Sequence, residues 1–263
     1  MNHNPIVSRD EWLAARKQLL NKEKELTRLR DQVSAARRDL PWVKIETNYV
    51  FDGPHGKETL ADLFDGRSQL VVYHFMFAPG WDEGCRSCSF LADHIDGALV
   101  HLAHRDVTLL AVSRAPLSQI EAFKRRMGWR FKWVSSYGND FNRDYHVSFT
   151  KDDIARGKTY YNYEERESPG EGEAPGTSVF YQDRTGNIFH TYSSYARGGD
   201  MLIGAYNYLD LVPKGRDEDG LAFTMAWVRH HDRYADNYVV DPLAPYLPPK
   251  SSDSCHGSEE GHS

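Results

Sequence analysis

The chain has 263 residues, of which 40% are hydrophobic and 27% charged, a composition ordinary for a soluble globular protein with a sizeable core. Its formal net charge of −6 argues against a general nucleic-acid binder, which carries a basic face. No apolar run reaches the roughly 18 residues of a membrane helix, and the N-terminus lacks a secretory pattern. Three cysteines do not make a disulfide framework. We therefore expect a reduced, cytoplasmic protein that binds neither nucleic acid nor membranes.

The first predicted element is a long helix that starts at Ser8 and ends before Pro41. Ser8 and Glu11 have the spacing of a capping box. Apolar residues recur at helical spacing at Trp12, Leu19, Leu26, Leu29 and Val33. This helix can pack on the rest of the chain or pair with a second copy, so a homodimer is compatible with the sequence. The apolar stripe is too short by itself to establish a coiled coil.

The central region alternates between strand and helix patterns. Strands are predicted at 44–51, 69–77, 107–113 and 131–136, a short helix at 58–64, and longer helices at 88–105 and 116–128. The run at 69–77 is almost continuously apolar, as expected for a strand buried on both faces. Strands separated by helices indicate a parallel core with right-handed crossovers.

The second half of the chain contains a predicted antiparallel hairpin at 177–195. Its turn residues are Asp183, Thr185, Gly186 and Asn187. Helices are expected at about 199–209 and 220–232. Residues 138–176 are polar and rich in Gly, Glu and Pro, which indicates an inserted excursion that is partly loop.

These elements give three predicted segments: an N-terminal helix at 1–40, one domain at 41–235, and an extended, disordered tail at 236–263. The order of the elements resembles a thioredoxin-like domain. The predicted fold class is therefore α/β, with three α/β/α layers and a mixed sheet.

Two of the three cysteines lie three positions apart, as Cys85-Arg86-Ser87-Cys88. They follow the first buried strand and open the next helix, where the helix N-terminus favours an anionic sulfur. Arg86 adds positive charge, while Asp82 and Glu83 act in the opposite direction. This placement indicates a redox pair in which Cys85 attacks a disulfide or a peroxide and Cys88 resolves the intermediate. Such chemistry needs a thiol electron donor and no cofactor.

Two alternatives to the redox pair stay open. Cys85 and Cys88 could bind a metal with His94 and either His101 or His104, or with the distant His190, His230 or His231. Ligands on one continuous helix wrap a tetrahedral ion poorly, so no metal is our first expectation. The other alternative is that both cysteines are small buried hydrophobes. A non-catalytic or metal-binding regulatory protein is therefore the second functional hypothesis.

Four further residues are candidates for binding substrate. Trp81 can line the cysteine site, and Arg86 lies between the two cysteines. Arg114 follows a central strand at the edge where open α/β sheets place ligands. In contrast, His74 is expected to be a hydrogen-bonded core residue, and the run at 229–232 a polar surface turn on the last helix.

The segments at 25–43, 62–77, 80–97, 113–129, 178–200 and 230–234 together resemble an uncharacterised bacterial family, the domain of unknown function 899, within the thioredoxin-like superfamily. The resemblance implies a thioredoxin- or peroxiredoxin-type scaffold, with Cys85 as attacking and Cys88 as resolving cysteine. Two positions depart from thioredoxins: Gly84 replaces their tryptophan, and Thr177 stands at or near their cis-proline. Thr177 is therefore the fourth substrate-binding candidate. The peroxiredoxin signature before the cysteine is also absent, since Pro79 lies six residues before Cys85.

Overall fold

The computed structural model describes residues 4–167 and 172–234. The helices are α1 (Arg9–Arg38), α2 (Arg86–Ala92), α3 (Leu99–Ala103), α4 (Leu117–Arg126), α5 (Phe141–Asp144), α6 (Lys151–Ala155) and α7 (Gly204–Leu209), with 3-10 helices at Asp62–Phe64, Ala196–Leu202 and His231–Arg233. The strands are β1 (Val43–Lys44), β2 (Val50–Gly53), β3 (Gly56–Thr59), β4 (Gln69–His74), β5 (Val107–Ser113), β6 (Trp133–Ser135), β7 (Lys158–Tyr161), β8 (Glu164–Glu167), β9 (Gly176–Gln182) and β10 (Ile188–Tyr195). The predicted tail at 236–263, which includes Cys255, lies outside the described residues.

Eight strands form one mixed sheet in the order β1-β10-β9-β4-β5-β6-β2-β3. β4, β5 and β6 are parallel, whereas β9 is antiparallel to β4 and pairs with β10 as a hairpin. The helix α2 connects β4 to β5, and α7 follows the hairpin. The predicted mixed α/β fold of thioredoxin-like type is thus confirmed. β4, the strand before the cysteines, lies at the centre of the sheet.

The sheet separates two apolar cores, because alternate residues of a strand point to opposite faces. On one face, Tyr73 and Phe75 pack with residues of α2, α4 and α7. On the other face, Leu70 and Val72 pack with the 3-10 helix at Asp62–Phe64 and with Phe141 of α5. The cysteines lie on the first of these faces.

The N-terminal helix forms as predicted. The hydroxyl of Ser8 accepts a hydrogen bond from the backbone N–H of Glu11, and the Glu11 carboxylate accepts one from the N–H of Ser8, which completes the capping box. Within α1 no residue is buried. None of the helices in the described part of the chain is both long and apolar enough to span a bilayer.

The single helix predicted at 88–105 is wrong. The chain forms α2 and α3, separated by turns at 93–98. The carboxylate of Asp96 accepts hydrogen bonds of 2.8 Å from the backbone N–H groups of Arg130 and Phe131. Asp93 accepts a hydrogen bond from the indole of Trp129. These bonds tie the turns to the loop before β6, a tertiary constraint that helical periodicity does not reveal.

The helix predicted at 220–232 is also wrong, because this segment forms turns followed by the 3-10 helix at His231–Arg233. Met225, Trp227 and Val228 all pack against the core that contains the cysteines. Met225 and Trp227 lie two positions apart, a spacing that places side chains on nearly opposite sides of an α-helix, so turns rather than a helix bring both of them to this core. The excursion predicted at 138–176 holds α5, α6, β7 and β8, and the domain boundaries at 40 and 235 stay predictions.

Candidate active site

Cys85 is the N-cap residue of α2 and lies just past the end of β4, where the sequence predicts it. Its backbone N–H donates to the carbonyl of Met76 at 3.0 Å, which closes the loop between strand and helix. Its side chain is partly exposed and lines a cleft. Cys88, one helical turn later, is only 2% exposed. The two thiols are reduced and lie side by side.

The environment of the two sulfurs is unequal. Burial raises the pKa of Cys88 well above its ordinary value, and the hydrogen bond to Cys85 and the negative charge there raise it further. The Tyr73 hydroxyl and the Met76 N–H, 3.5 Å from the sulfur, only partly offset this. Cys88 therefore stays protonated.

The cleft in front of the cysteines has a volume of about 1060 Å³. Its inner wall includes Tyr73, Cys85 and Cys88. The opposite wall is formed by the segment 214–225, which follows α7 and was not connected with the cysteines by the sequence. A volume of this size accommodates an organic ligand rather than a diatomic or triatomic molecule alone.

The far wall is held in place by two charged residues. Arg216 pairs with Asp210 at 2.8 Å and with Asp200 at 2.9 Å, and its guanidinium lies 3.9 Å from the ring centre of Tyr206. Glu218 accepts hydrogen bonds from Tyr206, Trp227 and the Met225 N–H. Burial by itself would raise the pKa of Glu218, but these three hydrogen bonds outweigh burial and lower the pKa. The wall is thus an anchored part of the fold.

Thr177 also lines the cleft. It is nearly buried on β9, directly opposite Tyr73 of β4, so the antiparallel pairing carries it to the cysteine end of the sheet. A side chain on the preceding Gly176 would lie 2.8 Å from the ring of Tyr195. The sequence expectation that Thr177 lies near the cysteine pair agrees with this position, and its role in binding substrate stays a prediction.

The glycine before Cys85 has a steric reason. A Cβ atom on Gly84 would lie 2.7 Å from the ring of Phe75 and 2.8 Å from the ring of Phe123. Both distances are far below ordinary carbon contacts. No side chain, least of all the tryptophan found in thioredoxins, fits at this position unless the aromatic core moves.

His230 contacts the same residue from the other side. Its Nε2 atom lies 2.9 Å from the carbonyl oxygen of Gly84, and His230 is only 7% exposed. Arg126 lies beside it and bridges Glu83 to Asp232. The sequence interpretation of 229–232 as a surface turn is therefore wrong for His230. Its packing against the cysteine loop is set by contacts across 146 residues.

The other three substrate-binding candidates lie elsewhere. Trp81 packs against the core, Arg86 is exposed at the start of α2, and neither is among the residues that line the cleft. Arg114 forms an ion pair of 2.6 Å with the buried Glu173. It thereby fixes the chain just before β9 and is likewise not a lining residue of the cleft. Substrate binding by these three residues stays a prediction.

Three of the histidines considered as metal ligands have other hydrogen-bond partners. His94 lies 2.8 Å from the Phe90 carbonyl and 3.0 Å from the Ala205 N–H, His231 pairs with Asp93, and His190 bonds Ser193. Within residues 4–167 and 172–234, no three His, Cys, Asp or Glu side chains are grouped to hold an ion. The cysteine pair thus lacks a third ligand in the described chain.

His74 occupies the buried position expected of a core histidine. Its Nε2 atom is 2.8 Å from the Ser178 hydroxyl, which contacts Ser193 and, through it, His190. Burial lowers the pKa of His74 to about 3, so the ring stays neutral. This network runs across β4, β9 and β10, and His74 is not among the lining residues of the cleft.

Comparison with known families gives one match that covers most of the chain. The profile of the family described as "Bacterial protein of unknown function (DUF899)" matches residues 1–234. The chain belongs to this family. The matched region of this DUF899 protein includes the segments whose resemblance to the family was found in the sequence: α1, the sheet, the cysteine loop and the segment that contains His230. No match was found among curated proteins.

Solved structures with a similar fold include peroxiredoxins. A variant of Xanthomonas campestris peroxiredoxin Q is 15% identical, with a TM-score of 0.41, and the alignment covers 65% of this chain and 98% of that one. Mycobacterium tuberculosis peroxidoxin BcpB is 11% identical, with a TM-score of 0.42, covering 63% and 94%. A putative protein disulfide isomerase from Bacteroides thetaiotaomicron is 17% identical, with a TM-score of 0.36, covering 64% and 91%.

Proposed function

We propose that this DUF899 protein is a thiol–disulfide oxidoreductase that cycles between a Cys85/Cys88 dithiol and an intramolecular disulfide. The observation that supports this most is the inequality of the two thiols. Cys85 and Cys88 both line the cleft, but Cys85 is partly exposed whereas Cys88 is buried and protonated. An attacking thiol needs access and a negative charge, and a resolving thiol needs proximity and protection.

The reaction proceeds in two exchanges. The Cys85 thiolate attacks one sulfur of a substrate disulfide, an S–S bond forms to Cys85, and the other substrate sulfur leaves as a thiolate that takes up a proton. The Cys88 thiol then loses its proton and attacks Cys85, which releases the second substrate thiol. The substrate gains two electrons and two protons, and the protein keeps the Cys85–Cys88 disulfide. A thiol electron donor reduces this disulfide again.

The cleft favours a disulfide carried by an organic molecule or a peptide as the substrate. Its volume of about 1060 Å³ far exceeds that of hydrogen peroxide, and pockets of this size enclose drug-sized ligands. An organic hydroperoxide is the other acceptor that fits. In that case Cys85 takes an oxygen as sulfenic acid and releases an alcohol, and Cys88 condenses with it to release water.

The experiment follows the thiols of the full chain after exposure to a small organic disulfide, with an organic hydroperoxide in parallel. Mass spectrometry of peptides cut after glutamate should show that the peptide 84–121, which carries both Cys85 and Cys88, loses two hydrogens and regains them with a dithiol reductant. Cys85→Ser should abolish oxidation, Cys88→Ser should trap a mixed disulfide on Cys85, and Cys255→Ser should behave as the unaltered chain. A Cys85→Ser protein that still reduces either acceptor at the normal rate overturns the proposal.

Elemental analysis separates this proposal from the regulatory alternative. A purified chain with about one zinc or iron bound through Cys85 and Cys88 would favour a metal-binding protein, because a metal-locked thiolate pair cannot cycle. We expect far less than one metal ion per chain. We also expect both thiols to react with a thiol probe once the protein is unfolded.

A further inference from the structure

α1 is long and exposed. Its 30 residues span about 45 Å at 1.5 Å per residue, and none of them is buried against the part of the chain that the structure describes. Large apolar side chains on it are 41–57% exposed: Trp12 53%, Leu19 51%, Leu26 57%, Leu29 54% and Val33 41%. An exposed apolar stripe of this length marks an interaction surface.

The stripe follows a seven-residue repeat. Every seventh position is apolar, at Trp12, Leu19, Leu26 and Val33, which we label the a positions. The positions three residues further on, labelled d, are Ala15, Lys22, Leu29 and Ala36. Among these eight seam positions only Lys22 is polar. Apolar a and d positions sustained over four heptads, flanked by charges, are the pattern of a coiled coil.

We propose that α1 forms a parallel, two-stranded coiled coil with α1 of a second copy of this chain. The sequence alone left open whether this helix packs on the rest of the chain or pairs with a second copy. The exposure of the seam favours pairing, because the described domain does not cover the apolar stripe. The parts of α1 that are partly buried, Arg16, Ser34, Ala35 and Arg37, lie outside the seam. Arg37 lies over the ring of Tyr192, 5.3 Å from its centre. Attachment to the domain therefore leaves the a and d positions available.

The flanking charges favour a second copy as the partner. In a parallel pair, each residue one position before a meets the residue five positions later on the other helix. These pairs are Glu11 with Arg16, Gln18 with Glu23, Glu25 with Arg30, and Gln32 with Arg37. Two are of opposite charge and none is of like charge. Glu25 and Arg30 have no ion-pair partner in the described chain, so both are available to pair across the interface.

The same charges disfavour the antiparallel arrangement. Antiparallel helices with aligned ends place the positions after d opposite each other, so that Arg16 faces Arg37 at both ends of the pair and Glu23 faces Arg30 between them. The repulsion of the two Arg16–Arg37 contacts offsets the attraction of the two Glu23–Arg30 contacts. The flanking charges of the parallel pair include attractive contacts and no repulsive one, and this difference favours the parallel orientation.

Sedimentation of the full chain tests the pairing. The mass should be about twice 30.2 kDa at micromolar concentrations. Leu26→Glu places a charge in the seam and should give a monomer. Leu20→Glu is the matched control, since Leu20 is 38% exposed but lies off the seam, and it should stay dimeric. Because α1 holds no buried residue, both variants should keep the circular dichroism and thermal midpoint of the domain. A monomeric parent chain, or equal dissociation by both variants, overturns the proposal.

Disulfide cross-linking tests the orientation. In a Cys85→Ser, Cys88→Ser, Cys255→Ser background, Leu29→Cys alone and Ala15→Cys alone should each give an oxidised dimer, since identical seam positions meet in a parallel pair. If neither single variant cross-links and only a chain carrying both does, the helices are antiparallel and the proposed orientation is wrong.

Discussion

The Nε2 atom of His230 lies 2.9 Å from the carbonyl oxygen of Gly84, the residue directly before Cys85. The N–H of the same peptide unit, which belongs to Cys85, donates to the Met76 carbonyl at 3.0 Å. The peptide that carries the candidate nucleophile is therefore held at both ends. We therefore expect His230 to act on Cys85 through this peptide, as a positioning residue.

His230→Ala should slow the reaction of Cys85 with a thiol probe several-fold and lower the free energy of unfolding by about 1–3 kcal/mol, because the buried Gly84 carbonyl loses its partner. His231→Ala is the control from the same motif, because His231 contacts Asp93 instead. His230→Gln, which retains a donor, should recover part of the rate. Stopped-flow probe kinetics and urea unfolding measure the two effects. Equal probe rates in His230→Ala and the parent would contradict the positioning role.

Gly84→Ala should destabilise the protein by about 1–3 kcal/mol, because the added methyl group meets the rings of Phe75 and Phe123 in a packed core. Gly97→Ala is the matched control. Apart from its two chain neighbours, no atom of the described residues lies within 4 Å of the Cβ it would add, so the free energy of unfolding should be unchanged or slightly higher. Urea midpoints of both variants provide the comparison. A Gly84→Ala chain as stable as the parent would contradict this prediction, because it would mean that the rings of Phe75 and Phe123 shift to accommodate the methyl group without loss of stability.

Arg114→Met should destabilise the chain by about 3 kcal/mol, because it leaves the carboxylate of Glu173 buried without its cation. Burial already raises the pKa of Glu173, and Arg114 and Ser148 only partly counter this. Changing Glu173 to Gln in the same chain should restore much of the loss. If Arg114→Met instead leaves stability intact and weakens substrate binding alone, the substrate-binding role predicted from the sequence is the correct one.

His231 should make stability depend on pH. The hydrogen bond to Asp93 raises the pKa of His231 above its ordinary value of 6.5, because its effect is larger than that of burial, which lowers the pKa. In the folded state the proton is therefore held more tightly than in the unfolded chain. The stabilisation is fully present below pH 6.5 and is lost as the pH rises through the folded pKa. Urea unfolding across this range should show a slope that His231→Gln removes; parallel curves for both proteins would contradict it.

Much of the local structure was predictable because its causes are local. The capping box at Ser8 and Glu11 requires only residues three apart, and it forms as expected. The turn of the hairpin is closed by Asp183, whose carboxylate accepts hydrogen bonds from Thr185 and Asn187, and these bonds lower its pKa to about 2. The apolar run at 69–77 likewise identifies β4 as a central strand.

The failures share a cause that is not local. The helical pattern at 88–105 continues past Asp93, but bonds from that region to the loop before β6 interrupt the helix. Similarly, the segment at 220–232 has helical spacing, yet its side chains pack onto the cysteine core in successive turns. Periodicity reports which face of an isolated element is apolar, and it carries no information about what will contact that face.

The sequence by itself determined the fold class and the position of Cys85 and Cys88 at a strand-to-helix junction, since both follow from spacing and apolar pattern along the chain. The family came from the resemblance of its segments to known sequences. Only the tertiary structure decided the surroundings of that pair. In the folded chain Cys88 is buried and Cys85 lines a cleft. His230 contacts Gly84, 146 residues away in the sequence, and Arg114 forms an ion pair with Glu173. Such contacts depend on how distant segments pack together, and that packing is a property of the whole folded chain.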